Sequence, residues 1–143
     1  MSATVAQILA VKGREVWSVA PDSTVYDALA AMAEHGVGAL LVMDGERLVG
    51  IVSERDYARK VILLERLSRT TAVSEIMTSE LHTVGPTVSV AECMAMMTEL
   101  RVRHLPVMHR DKVVGVISIG DVVKNHISDQ QSLIDQLEQY ITS

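Results

Sequence analysis

Val49-Gly50-Ile51-Val52-Ser53-Glu54-Arg55-Asp56 returns later in the chain as Val114-Gly115-Val116-Ile117-Ser118-Ile119-Gly120-Asp121, a shift of 65 residues (115 − 50). Each copy is an apolar run that passes a glycine and ends on Ser-x-x-Asp. The same shift lays residues 19–57 over 84–122 without a gap. Identities fall at Val19, Pro21, Val25, Ala30, Met32, Glu34, Val37, Leu40, Val42, Met43, Val49, Gly50, Ser53 and Asp56, which is 14 of 39 positions. Many other pairs are alike, such as Asp27/Glu92 and Leu29/Met94. Val5-Ala6-Gln7-Ile8-Leu9 also resembles Val73-Ser74-Glu75-Ile76-Met77, at a shift of 68 (73 − 5), so the first copy carries three extra residues around Lys12–Trp17. Two copies are too few for a solenoid, whose units bury their faces only by stacking in series. A pair of related units is the physical alternative.

Each copy reads as strand, helix, strand, strand, helix. Thr24-Val25-Tyr26-Asp27 and Ser89-Val90-Ala91-Glu92 have the form of capping boxes that open helices. The helices that follow set Val25, Ala28/Leu29 and Met32, and Val90, Cys93/Met94 and Met97, on one face. Ala39–Met43 and Leu48–Val52 are short apolar runs around Asp44-Gly45-Glu46-Arg47, which predicts a hairpin. His104–Met108 and Val113–Ile117 repeat this around His109-Arg110-Asp111-Lys112. Pro106 inside its run predicts an edge or irregular pairing. Beyond Asp121 the chain stays helical, with Val123, Ile127, Gln130, Ile134, Leu137 and Ile141 spaced as a seam of a/d type. That seam either packs on its own domain or makes a dimer contact.

The chain has 143 residues, 48% hydrophobic and 22% charged, with a net charge of −5. This excludes a disordered tail, a collagen or a disulfide scaffold. The acidic balance argues against unspecific binding to DNA or acidic membranes. With no Phe, one Trp and three Tyr, an aromatic platform for single-stranded nucleic acid has little support. A single cysteine, Cys93, allows no internal disulfide and fits a reducing compartment. The first residues lack the basic-then-apolar pattern of a secretory signal. No apolar run approaches the roughly 18 residues that span a bilayer. The expected location is cytoplasmic.

With its Gly50–Asp56 and Gly115–Asp121 stretches and the preceding Arg103-His104-Leu105-Pro106-Val107, the repeat resembles the cystathionine-β-synthase (CBS) domain, over residues of about 4 to 125. It is similar to stand-alone bacterial CBS pairs and to organellar plant CBS-pair proteins, which share the Ser53–Tyr57 and Ser118–Asp121 stretches. The resemblance implies a mixed α/β fold: tandem βαββα repeats forming one pseudo-two-fold (Bateman) module with two clefts. The repeats are expected at 4–66 and 70–127, followed by a C-terminal helix at 128–143. It also implies that the clefts hold adenosine compounds such as AMP, ADP, ATP, NAD(H) or S-adenosylmethionine, without chemistry on them, and that modules pair into homodimers.

By spacing alone, Ser118-x-x-Asp121 is a helix cap. By resemblance, Asp121 accepts hydrogen bonds from both ribose hydroxyls and Ser118 lies near phosphate; an ionised carboxylate suits a vicinal diol. Ser53 and Asp56 hold the equivalent places. Arg103 and His104 are expected at the ligand's phosphate, Arg through paired hydrogen bonds. The first copy has Gly38 and Ala39 there instead, so the two sites are unlike; Arg55 partly compensates, since Gly120 stands at its place. Lys12 is a candidate for phosphate and Trp17 for stacking on a base, or both belong to a basic surface loop. Gly36 and Gly38 either approach an adenine edge or turn the chain. Cys93 reads as a small core residue. The five histidines show no metal-binding spacing, and there is no base–nucleophile pair, GxxxxGK[ST] or GxGxxG. The expected function is a non-enzymatic sensor of an adenine nucleotide, with no metal, that signals energy or redox state to an unidentified regulated protein. The alternative is a ligand-independent dimerisation adaptor.

Overall fold

The computed structural model describes residues 3–142. The chain forms α1 (Val5–Lys12), β1 (Ser18–Val19), α2 (Val25–His35), β2 (Ala39–Asp44), β3 (Arg47–Ser53), α3 (Glu54–Tyr57), α4 (Val90–Leu100), β4 (His104–His109), β5 (Lys112–Ser118) and α5 (Ile119–Thr142). A π-helical turn, Ala58–Ile62, continues α3, and Val73–Glu75 forms one 3-10 turn. The fold is mixed α/β, as the repeat predicts. It divides into two compact units. One takes the chain up to Arg14, Thr83–His109 and the chain from Val114 onward. The other takes Glu15–His82 with Arg110–Val113.

In the second of these units, β1 runs parallel to β2, and β2 runs antiparallel to β3 with Leu41 opposite Ile51. A bulge between Val42 and Met43 shifts the register before the turn. Gly45 supplies the positive φ that this turn needs. The β4–β5 turn has no glycine, and Arg110 and Asp111 both take positive φ, 52° and 63°. The α2 helix closes on Gly36 in the left-handed conformation; at the equivalent end of α4 that role falls to Arg101. Thr24 and Ser89 accept from the backbones of Asp27 and Glu92, as the sequence predicts. Among the described residues, neither helix forms the return bond that completes a capping box.

The apolar positions that repeat in sequence repeat in burial. Val25, Ala28, Met32, Leu40, Val42 and Val52 form one core with Val61, Val73 and Ile76. Their counterparts Val90, Cys93, Met97, Leu105, Val107 and Ile117 form the other, with Val5, Ile8 and Leu9. Cys93 is thus the counterpart of Ala28, a small residue in a tight core, and burial pushes its thiol pKa up. Truncating such a buried Met or Leu to Ala costs about 2–5 kcal/mol.

The five-residue leads pack crosswise to the chain order. Val5–Leu9 lies with the second repeat and Val73–Met77 with the first. Each lead is admitted by a strand glycine. A Cβ on Gly115 would stand 2.7 Å from Leu9 Cδ2, and one on Gly50 would stand 2.7 Å from Met77 Sδ and 3.0 Å from the Thr78 carbonyl. Thr78 and Ile51 exchange both backbone hydrogen bonds at that point. Val84 makes one parallel bridge to Val107 rather than a strand. Pro106 sits inside β4, its carbonyl accepting from Val84 N.

Candidate ligand-binding site

The strand β5 ends where Ser118 turns the chain into α5. Asp121 Oδ2 accepts from Ser118 N at 2.8 Å, and Ser118 Oγ accepts from Asp121 N at 3.2 Å. This reciprocal cap fixes the carboxylate at the helix N-terminus, where the exposed N–H groups favour negative charge. Ile119 N donates to the Arg103 carbonyl at 2.8 Å, which ties the start of β4 to the start of α5. Arg103, His104, Ser118 and Asp121 are therefore brought together within one unit.

Lys12, the last residue of α1, joins them. Its Nζ donates to Asp121 Oδ2 at 2.6 Å and to the Val116 carbonyl at 2.8 Å. Burial pushes Asp121 up, but the bonds from Lys12 and Ser118 outweigh it, and its pKa lies below the ordinary 3.8. Burial, and then the charge of Lys12, hold His104 below its ordinary 6.5, against the opposing pull of Asp121. His104 is therefore mainly neutral at pH 7, with one ring N–H to donate.

The other unit repeats this plan with different parts. Asp56 Oδ2 accepts from Ser53 N at 3.0 Å and from Ser53 Oγ at 3.1 Å. Glu54 N donates to the Gly38 carbonyl at 3.0 Å, the counterpart of the Ile119–Arg103 bond. Lys60 Nζ stands 3.4 Å from Asp56 Oδ1 and donates to the Ile76 carbonyl at 2.9 Å. Gly38 and Arg55 are exposed. Trp17 stacks on His35, ring centroids 3.7 Å apart and planes 7° from parallel, so one face of the indole is already covered. Its carbonyl accepts from Leu41 N.

A CBS-domain model matches residues 6–63 and 73–127. The chain belongs to the CBS-domain family. It is 39% identical over 150 residues to the mitochondrial CBS domain-containing protein CBSX3 of Arabidopsis thaliana, covering 98% of this chain and 72% of that protein. Among solved structures, a putative signal-transduction protein with CBS domains from Burkholderia ambifaria MC40-6 is 56% identical with a TM-score of 0.86, over 90% of this chain and 96% of that one. The CBS pair of protein MJ0100, solved in complex with 5′-methylthioadenosine and S-adenosyl-L-methionine, shares the fold with a TM-score of 0.79 at 20% identity, over 90% and 99% of the two chains.

Lys60 escapes a sequence reading. Its signal is there, four residues past Asp56 on one helix, but its second partner is a backbone carbonyl 16 residues away. At the corresponding place in α5 stands Asn125, whose Oδ1 is buried and accepts no hydrogen bond among the described residues. Also among the described residues, no group of three or more His, Cys, Asp or Glu could hold a metal ion, and no helix is long and apolar enough to cross a membrane.

Proposed function

We propose that this CBS pair is a non-catalytic regulatory module that binds an adenine nucleotide, AMP or NAD(H) with ATP also admitted, and reports energy or redox state to a cytoplasmic partner. The observation that carries the reading is the Ser118–Asp121 cap with Arg103 and His104 beside it. The carboxylate offers acceptors for a ribose diol, and the flanking cation and imidazole offer donors for a 5′-phosphate. Asp121 Oδ1 accepts no hydrogen bond among the described residues, so one oxygen is open to a hydroxyl. Ser53, Asp56, Arg55 and Gly38 make the corresponding, less cationic set, and Trp17 is a candidate for stacking on a base. The adenosine ligands of the MJ0100 pair support the class of compound. Binding steers a partner only through different affinities for two states of the module. Calorimetric titration of nucleotide-stripped protein with AMP, ATP, NAD and NADH tests the reading. Saturable heat for at least one is expected, and none for any of the four contradicts it.

A second reading has its own observation. Val123, Ile127, Ile134, Leu137 and Ile141 of α5 are 45–80% exposed and follow the a/d spacing of a helix pair. In this reading the chain is a homodimer joined through residues 128–143. Deleting that segment is expected to turn a dimer into a folded monomer in sedimentation analysis. A truncated chain that stays dimeric contradicts it.

A further inference from the structure

We propose that Lys12 sets the ligand class of the Asp121 site, selecting adenosine compounds that carry a 5′-phosphate over those with an uncharged or cationic 5′ group. The inference rests on the adenosine reading above and deepens it. The Lys12 ammonium lies on the carboxylate that a ribose would use, 2.6 Å from Oδ2, and its second partner is the Val116 carbonyl. Oδ1 is open to one ribose hydroxyl, and the second hydroxyl of the diol competes with the Lys12 ammonium for Oδ2. A neutral nucleoside leaves the ammonium with a carbonyl alone. A phosphorylated one supplies a new anion beside Arg103 and His104, so the cation exchanges one anion for another. A sulfonium compound would add positive charge to a place that already holds Lys12 and Arg103.

The two units differ in a way that bears on this. Lys60 sits within the helical segment of its own aspartate, at i+4. Its counterpart in α5 is the uncharged Asn125, and the cation comes from α1 instead. Lys12 is the last residue of α1, followed by Gly13 at φ 103°. The helix is anchored by Val5, Ile8 and Leu9, all buried. The flexible four-carbon stem can then carry the ammonium from one anion to another while the helix stays docked.

Competition calorimetry with AMP, adenosine, 5′-methylthioadenosine and S-adenosylmethionine on the full chain and on Lys12→Met tests this. Met keeps the length of the stem at a partly exposed helix end. The wild-type chain is expected to bind AMP at least tenfold tighter than the other three. In Lys12→Met the AMP-to-adenosine affinity ratio is expected to fall at least tenfold, while adenosine binds as well as before or better, because its competitor is gone. Equal losses for AMP and adenosine, or an unchanged ratio, overturn the selection by Lys12 and leave the adenosine reading intact. S-adenosylmethionine binding tighter than AMP to the wild-type chain does the same. No binding of any of these four, nor of ATP, NAD or NADH, overturns both.

Discussion

Asp121 and His104 are both shifted in the folded protein, and both shifts act in one direction on stability. His104 has its pKa lowered, so between the folded value and the ordinary 6.5 the unfolded chain binds more protons. Its contribution is complete above pH 6.5 and is lost as pH falls toward the folded value. Asp121 is also lowered, and its contribution is lost below 3.8 as pH falls toward its own folded value. Urea unfolding midpoints are therefore expected to fall in two stages, the first beginning near pH 6.5. His104→Gln should remove the first stage, and a first stage that survives this change would contradict the assignment. At this scale much was legible. Ser118, Asp121, Arg103 and His104 share one place because a strand end and a helix start are joined by a backbone bond between Ile119 and Arg103. The ion pair of Lys12 with Asp121 was not legible, since it spans 109 residues and depends on where α1 docks.

At the scale of elements, the hairpins and the helices after Ser53 and Ser118 follow from apolar runs and turn residues. The α1 helix and the 3-10 turn at Val73–Glu75 do not, because a five-residue similarity shows no period. Backbone bonds tie these leads down, Val5 N to the Val88 carbonyl and Val73 N to the Ser23 carbonyl, and the strand glycine beneath each leaves them room. Gly50 meets a side chain and a backbone carbonyl, and the carbonyl belongs to the bridge between Ile51 and Thr78. A flexible Met can yield to an added methyl more readily than a paired backbone. Gly50→Ala is thus expected to destabilise the fold by about 1–3 kcal/mol through overpacking, read as a lower urea midpoint with an unchanged slope. A change within about 0.5 kcal/mol, the range of surface substitutions, would mean that the close approach does not hold the lead in place.

At the scale of the whole molecule, the repeat gave the family but not the crosswise assignment of its leads. Repeats are contiguous in the chain, whereas each core is completed by a segment next to the other repeat. The net charge of −5 is equally silent about the site, where Lys12 pairs with the Asp121 carboxylate and His104 lies in the field of Lys12, Asp121 and Arg103. That arrangement carries the central claim, that this CBS pair binds an adenine nucleotide through Asp121. The most direct test is calorimetric titration of the nucleotide-stripped chain with AMP, beside Asp121→Ala. Loss of a hydrogen-bonding charged group is worth about 1.5–3 kcal/mol, so affinity is expected to fall by about tenfold to a hundredfold in the variant. AMP binding of equal strength to both proteins would contradict the claim.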